Sequence, residues 1–339
     1  MKLTAEQIRA VTTGAVRICE EGELVRLFRF TPEQEQLYRD RGADFHAKAL
    51  SSAGMRLCFR TDSRSLLLSV ETARGSSRRF FSFDVFVDGE PAGYLDNWSS
   101  RPFPGNYIAE PYPLGAFTGR FALGGGVKTV TVYLPWSVTT AIREVTLDDG
   151  AFLEPVRRKK TLLVYGDSIT QGYDALRPSL RYPAALADLL GAEEINRAIG
   201  GEVFCPALAE LAEPLNPDYV LVSYGSNDWS RTEAPVCAER CRDFYQTLSA
   251  RYPGARIFAL TPVWRADWLQ PRLFGPFESV ESIISDCVKD LPRVTLICGA
   301  QMIPRDTDFY SDRYLHPNDT GFSHYRKNLC AAVVAALAE

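Results

Sequence analysis

Histidine is scarce in this chain: among 339 residues there are three, His46, His316 and His324. Any chemistry that needs an imidazole therefore has three candidates. Long apolar runs are missing too. No stretch approaches the roughly 18 residues of a membrane span, so membrane association is not expected. The opening residues, MKLTAEQIRAVTTGAVRICEEGELVRLF, hold no short apolar core followed by a small-residue cleavage site, so the sequence reads as cytoplasmic, or as secreted only if a leader once preceded it. An excess of basic charge is absent as well. The net charge of −4 and pI near 5.6 give a polyanion no reason to bind, which argues against nucleic acid. There is no internal repeat and no low-complexity tract.

Cysteine is present, eight times, but without a metal-binding spacing. Cys19, Cys58, Cys205, Cys237, Cys241, Cys287, Cys298 and Cys330 are scattered among apolar neighbours. In a chain read as cytoplasmic they are expected to be buried free thiols. Cys237 and Cys241 are four apart on a helical pattern and could share a metal. A zinc site needs about four ligands, however, and no second pair or histidine is near, so no metal and no organic cofactor are expected.

The two halves have different rhythms. Up to about residue 155 the chain reads as short strands rich in β-branched and aromatic residues: Leu24–Phe30, Met55–Arg60, Ser65–Val70, Phe80–Val87, Ala116–Leu123, Lys128–Leu134 and Ile142–Leu147. Turn chemistry at Asp88-Gly89 and Gly124-Gly125-Gly126 separates some of them. An all-β sandwich or jelly roll is expected for residues 1–155. From residue 156 to 339 apolar runs alternate with helical patterns. The runs are Thr161–Tyr165, Tyr219–Ser223, Arg256–Leu260 and Val294–Cys298. The helical segments are Tyr182–Leu190, Pro206–Leu211, Pro235–Ala250, Ser279–Val288 and Gly321–Leu337. That alternation predicts a parallel sheet covered on both faces. The basic stretch Arg157–Lys160 at the junction reads as a solvated linker.

Four blocks in the second half carry chemistry. Gly166-Asp167-Ser168 follows an apolar strand, where an α/β sheet places its reactive groups; a plain helix cap is the bland alternative. Gly225-Ser226-Asn227-Asp228 follows another strand, and an Asn amide there suits an oxyanion hole. Asn196–Gly201 ends in two glycines that allow close backbone approach. His316 precedes Pro317, which disfavours helix at the histidine and keeps it on a loop. His324 lies within the last helical pattern, and His46 has no site argument.

Together these blocks resemble the SGNH (GDSL-type) hydrolase superfamily over about residues 160–337. The resemblance implies a flavodoxin-like three-layer α/β/α domain. It implies Ser168 as nucleophile, His316 as its base, and an oxyanion hole built from the Ser168 and Gly201 N–H groups and the Asn227 amide. The family has its acid three residues before the histidine, and here that position is Arg313. Either the loop carries one extra residue and Asp312 reaches the imidazole, or the site is a Ser–His dyad; Asp308 is a more distant choice.

A β-sandwich ahead of such a domain is similar to the family-two carbohydrate esterases, among them acetylxylan esterases. The expected activity is hydrolysis of small acyl esters, acetyl first, on a carbohydrate hydroxyl. The partner is then a small-molecule or oligosaccharide ester. Trp229, Trp264, Arg265 and Trp268, which follow strand ends, are candidates to hold a sugar ring; core or lid residues are the bland reading. Two rivals stand: a lysophospholipase or thioesterase on the same fold, and a catalytically inactive carbohydrate-binding protein. The oligomeric state is not assigned.

Overall fold

The computed structural model describes residues 1–99 and 112–338. The chain divides into two compact units. The first comprises Met1–Lys159 with Leu176–Ser179, and the second comprises Lys160–Ala175 with Leu180–Glu339.

The first unit is built on two antiparallel sheets. One runs in the order Thr12–Thr13, Arg56–Thr61, Lys128–Tyr133, Ser82–Val87, Glu90–Asp96, with Glu154–Pro155 also paired to Arg56–Thr61. The other runs Arg17–Glu21, Leu24–Phe28, Val138–Leu147, Ser65–Arg74, Gly115–Ala122. Alternation decides which face of each strand is buried. In Ser65–Arg74 the residues Leu66, Leu68, Val70 and Thr72 turn inward, and in Lys128–Tyr133 the inward set includes Val130 and Val132. Apolar side chains from both sheets form one core, with Leu27, Phe59, Leu68, Val85, Val132 and Val145 among its members.

The expectation of an all-β unit is corrected by three short helices, Ala5–Val11, Pro32–Asp40 and Ala43–Ala49. Two of them begin with reciprocal caps. Thr4 accepts from the Gln7 N–H while the Gln7 side chain accepts from Thr4, and Thr31 does the same with Gln34, with Pro32 in the first turn. Each pair satisfies two N–H groups that a helix start leaves orphaned.

The second unit is a five-stranded parallel sheet. In chain order its strands are Lys160–Gly166, Ala192–Asn196, Tyr219–Ser223, Arg256–Leu260 and Val294–Ile297, and in space they lie 2-1-3-4-5. Successive residues of the first strand serve opposite faces. Leu162 and Val164 join a core with Tyr182 and Leu186 of the Tyr182–Leu189 helix and with Phe322, Tyr325 and Leu329 of the Asp319–Ala338 helix. On the other face Tyr165 meets Phe244 of the Ala234–Arg251 helix edge-to-face at 5.3 Å. Helices thus cover both sides, which is why the strands read as continuous apolar runs. The order 2-1-3-4-5 is doubly wound, with its switch point between the first and third strands, where such sheets open a crevice at their carboxyl ends. Among the described residues no helix is long and apolar enough to cross a membrane.

A buried polar network ties the second strand to the crevice. The Arg181 guanidinium meets Glu194 in two bonds of 2.8 and 3.1 Å, and both side chains are almost wholly buried. The Asn196 amide donates to Glu194 at 2.9 Å and to the Thr170 carbonyl at 3.2 Å. Removing one charge of a buried pair strands the other. Glu194→Gln is therefore expected to cost about 3–5 kcal/mol, read from urea unfolding of the purified variant. A loss below about 1 kcal/mol would mean that the pair behaves like a surface ion pair.

Candidate active site

The first strand ends at Gly166, and the turn that follows has no room for a side chain there. A Cβ at Gly166 would lie 2.3 Å from Thr170 Oγ1 and 2.9 Å from the Ser223 carbonyl oxygen. Asp167 is the N-cap of the four-residue helix Ser168–Gln171, its carboxylate accepting from the Ile169 N–H at 3.0 Å. Ser168 is thereby held at the first helical position, at the mouth of the crevice. Burial pushes the Asp167 carboxyl up to about 6, although the Ile169 N–H and the nearby His316 and Arg265 pull it down.

His316 reaches the same point from the far end of the sheet. Its Nε2 lies 2.9 Å from Ser168 Oγ and its Nδ1 lies 2.7 Å from Asp312 Oδ2. A carboxylate can only accept, so Nδ1 carries the proton and Nε2 is left to accept from the serine hydroxyl. The other oxygen of Asp312 accepts three backbone N–H groups, from Leu315 at 2.7 Å, Tyr314 at 2.9 Å and His316 at 3.1 Å. The extra residue is absorbed by Arg313, whose φ of 53° is left-handed. That conformation costs a non-glycine residue roughly 1–2 kcal/mol, and the three N–H bonds offset it. Burial raises the Asp312 carboxyl, but the bond and charge of His316 and the backbone N–H groups outweigh it and bring the group down to about 2. Tyr173 stacks on the imidazole at 5.6 Å.

The remaining candidates for this role sit elsewhere. Asp308 is exposed and paired with Arg313 at 2.7 Å. His324 packs edge-on against Phe309, and His46 pairs with Glu35 in the first unit.

Two further segments close the crevice. The third strand exits through Gly225, at φ 112°, where a Cβ would strike Val280 Cγ1 at 2.6 Å. Asn227 follows, and its amide donates to the Glu202 carbonyl at 3.0 Å, which fixes its orientation. Asp228 accepts from the N–H groups of Phe204 and Gly225, both at 3.1 Å, and so fastens the loop of Asn227 to the loop of Gly201. Burial pushes the Asp228 carboxyl up to about 7. Gly201 has φ +87°, and its carbonyl accepts from Arg231 at 2.7 Å. The neighbouring Gly200 N–H donates to the Gln171 side chain at 2.8 Å.

Sequence reasoning missed Asp174. This residue is buried, with a left-handed φ of 71°, and it offers a carboxylate oxygen within 4.8 Å of donor atoms of Asp312 and His316. No motif marks it. These three form the single metal-competent group among the described residues. Both His316 nitrogens are engaged, by Asp312 and Ser168, so a metal there would have to break one of those bonds. None of the eight cysteines, all among the described residues, is in a disulfide; Cys237 and Cys241 are buried, and the other six are partly exposed.

The residues proposed for sugar contact divide. Trp229 is 1% exposed, its indole N–H donating to the Gly275 carbonyl at 2.9 Å, so it is a wall and not an open platform. Arg265 is also buried. It bonds Asp267 at 2.5 Å, the Ser226 carbonyl at 2.8 Å and the Tyr314 hydroxyl at 2.8 Å, and so braces the Asn227 segment against the His316 loop. Trp264 packs on Tyr310 at 5.5 Å, and Arg305 lies 5.7 Å over Trp268. These two tryptophans line a small cavity of about 60 Å³ with Phe277 and Glu281.

Residues 164–323 match the GDSL-like Lipase/Acylhydrolase family. The second unit belongs to that family. This GDSL-like unit is an SGNH hydrolase domain, and its family's chemistry is acyl-ester hydrolysis. No curated protein matches the chain. Solved structures do. The salicylyl-acyltransferase SsfX3 of a tetracycline biosynthetic pathway is 21% identical with a TM-score of 0.79, over 96% of this chain and 94% of that one. A GDSL-like lipase from Bacteroides ovatus is 19% identical with a TM-score of 0.74, over 100% and 98%. The acetyl xylan esterase Est2A of Butyrivibrio proteoclasticus is 13% identical with a TM-score of 0.66, over 100% and 98%. These likenesses extend the shared fold to the whole chain, both units included.

Two outcomes follow from this geometry. Asp312→Asn is expected to lower turnover of an activated acetate ester by up to ~10⁴-fold, while Asp308→Asn stays within about twofold of wild type by the small weight of exposed pairs; equal effects would remove Asp312 from its place beside the imidazole. The second outcome concerns pH. Asp167 and Asp228 hold protons in the fold at a pH where the unfolded chain has released them, so their contribution to stability is present below about pH 4 and fades as pH rises through 6 to 7. Asp312 acts oppositely, its contribution being lost only as pH falls from about 4 through 2. Urea midpoints measured from pH 5 to 8 should fall for wild type and fall less for Asp228→Asn; parallel profiles would contradict the assignment.

Proposed function

We propose that this protein is a serine esterase that removes small acyl groups, acetyl foremost, from carbohydrate hydroxyls through an acyl-enzyme. The observation that carries the reading is the continuous relay Ser168–His316–Asp312, with separations of 2.9 and 2.7 Å. A hydroxyl is a weak nucleophile until a neighbouring base takes its proton. As Ser168 Oγ attacks the ester carbonyl, His316 Nε2 accepts the Oγ proton and Asp312 stabilises the imidazolium that forms. The carbonyl electrons move onto oxygen, which on this reading the Ser168 and Gly201 N–H groups and the Asn227 amide stabilise. Collapse of the tetrahedral adduct expels the alcohol, which takes the proton back from His316. Water then repeats the sequence on the acyl-enzyme and releases the acid.

The carbohydrate assignment draws on likeness of fold to the acetyl xylan esterase and to a family two carbohydrate esterase from Clostridium thermocellum solved with cellohexaose. A lysophospholipase or thioesterase on the same fold would prefer long chains. An inactive carbohydrate-binding protein would have little use for a complete relay.

A fluorophosphonate ester should label Ser168, and Ser168→Ala should abolish both labelling and acetate release from acetylated oligosaccharides. Nitrophenyl esters of increasing chain length should be cleaved fastest at acetate. A maximum at eight carbons or more would replace the acetylesterase reading with the lipid one. Asn227→Ala should lower kcat by about 10²–10³-fold, the usual effect of deleting an oxyanion donor.

A further inference from the structure

Next to the candidate oxyanion donors lies a cavity of about 660 Å³ that the relay does not use. Trp229, two residues beyond Asn227, forms part of its wall, and Arg231, which holds the Gly201 carbonyl, forms another part. The lining also includes Arg240, Arg272, Glu233 and the highly exposed Leu273. Its volume falls in the range of ligand sites, about 300–1,000 Å³. That is far more than an acetyl group needs.

The charge in this cavity is unusual for the chain. Three arginines face one acid, Glu233, in a protein whose net charge is −4. Their positive charge is poorly answered. Among the described residues Arg240 has no hydrogen-bond or ion-pair partner. Arg231 spends one N–H on a neutral carbonyl, that of Gly201. Arg272 bonds Asp267 at 2.7 Å, but that carboxylate is already shared with Arg265, and Arg272 Nε is shielded from solvent with no acceptor among the described residues. Guanidinium groups present planar forks that match carboxylate and phosphate oxygens. Three of them around a roomy cleft, with one acid between them, leave room for an anion.

We propose that this cavity receives an acidic group of the substrate, so that the enzyme prefers acetyl esters of anionic sugars to those of neutral ones. This rests on the carbohydrate acetylesterase reading. The anion is a sugar carboxylate or a sugar phosphate, which share the oxygen geometry that an arginine fork binds. Arg240 determines the preference because its guanidinium is uncommitted and it stands away from the relay.

The test compares acetylated methyl glucuronoside, acetylated glucose 6-phosphate and acetylated methyl glucoside, with 4-nitrophenyl acetate as the neutral reference. For wild type, kcat/KM on at least one acidic sugar ester should exceed that on the neutral sugar ester by about tenfold, and the stronger of the two acidic substrates identifies the anion. Arg240→Gln should erase that preference mainly through KM while leaving 4-nitrophenyl acetate turnover within twofold. Arg240→Lys should restore part of it. Added salt should narrow the gap for wild type and not for Arg240→Gln. Equal rates on acidic and neutral sugars, or an Arg240→Gln variant that keeps the wild-type preference, would overturn the inference and leave the acetylesterase reading intact. Cleavage of 4-nitrophenyl acetate with no cleavage of any acetylated sugar would overturn both the carbohydrate assignment and the inference drawn from it.

Discussion

Everything at the mouth of the second unit's sheet depends on how one carboxylate divides its two oxygens. Asp312 gives one oxygen to three backbone N–H groups and the other to the His316 ring. The first set of bonds folds the loop, and the second aims the imidazole at Ser168. Neither would hold alone. Without the N–H bonds the left-handed Arg313 would lose three of the contacts that offset its strain, and without the ring bond the imidazole would be free to choose the wrong tautomer. A single side chain therefore couples loop shape to proton position.

Around that pivot the sheet supplies alignment. The switch point between the first and third strands sets the Ser168 and Asn227 segments on either side of one crevice. Small residues permit the approach, most clearly at Gly166, where any side chain would collide with Thr170 and Ser223. Buried polar bonds then fix what the strands bring near. Asp228 fastens the Gly201 and Asn227 loops to each other, and Arg265 joins Ser226 to the Tyr314 hydroxyl. The cost of burying these charges shows in the raised Asp167 and Asp228 carboxyls. It is carried at the site, where orientation has most value.

Much of this was legible in the residues. The parallel strands Tyr219–Ser223 and Arg256–Leu260 have the bounds that their apolar runs indicate, because burial on both faces leaves no polar alternation to blur them. Ser168 and His316, 148 positions apart, were singled out by strand-end and loop context, the scarcity of histidine and the resemblance that joins the four blocks. Other features depended on long-range packing and were not legible. The loop before His316 pointed to Asp312 but left a dyad open, since spacing does not reveal a left-handed Arg313. The tryptophans after strand ends looked alike in sequence, yet Trp229 is walled in by its bond to Gly275 while Trp268 is partly open. In the first unit the helices went unread although the Thr4/Gln7 and Thr31/Gln34 pairs announce their starts. Asp174 belongs to a third kind, a residue placed at the site by a turn with no local signature.

The distance along the chain between the serine and its base has a kinetic side. Ser168 is in place once the first and third strands pair, but the imidazole arrives 148 residues later, after two more strands have been laid down. Closing so long a loop draws on chain entropy before any bond rewards it. The bond between Ser168 and His316 thus joins the first strand's exit to the loop that follows the last strand, and it forms only when the sheet between them is complete.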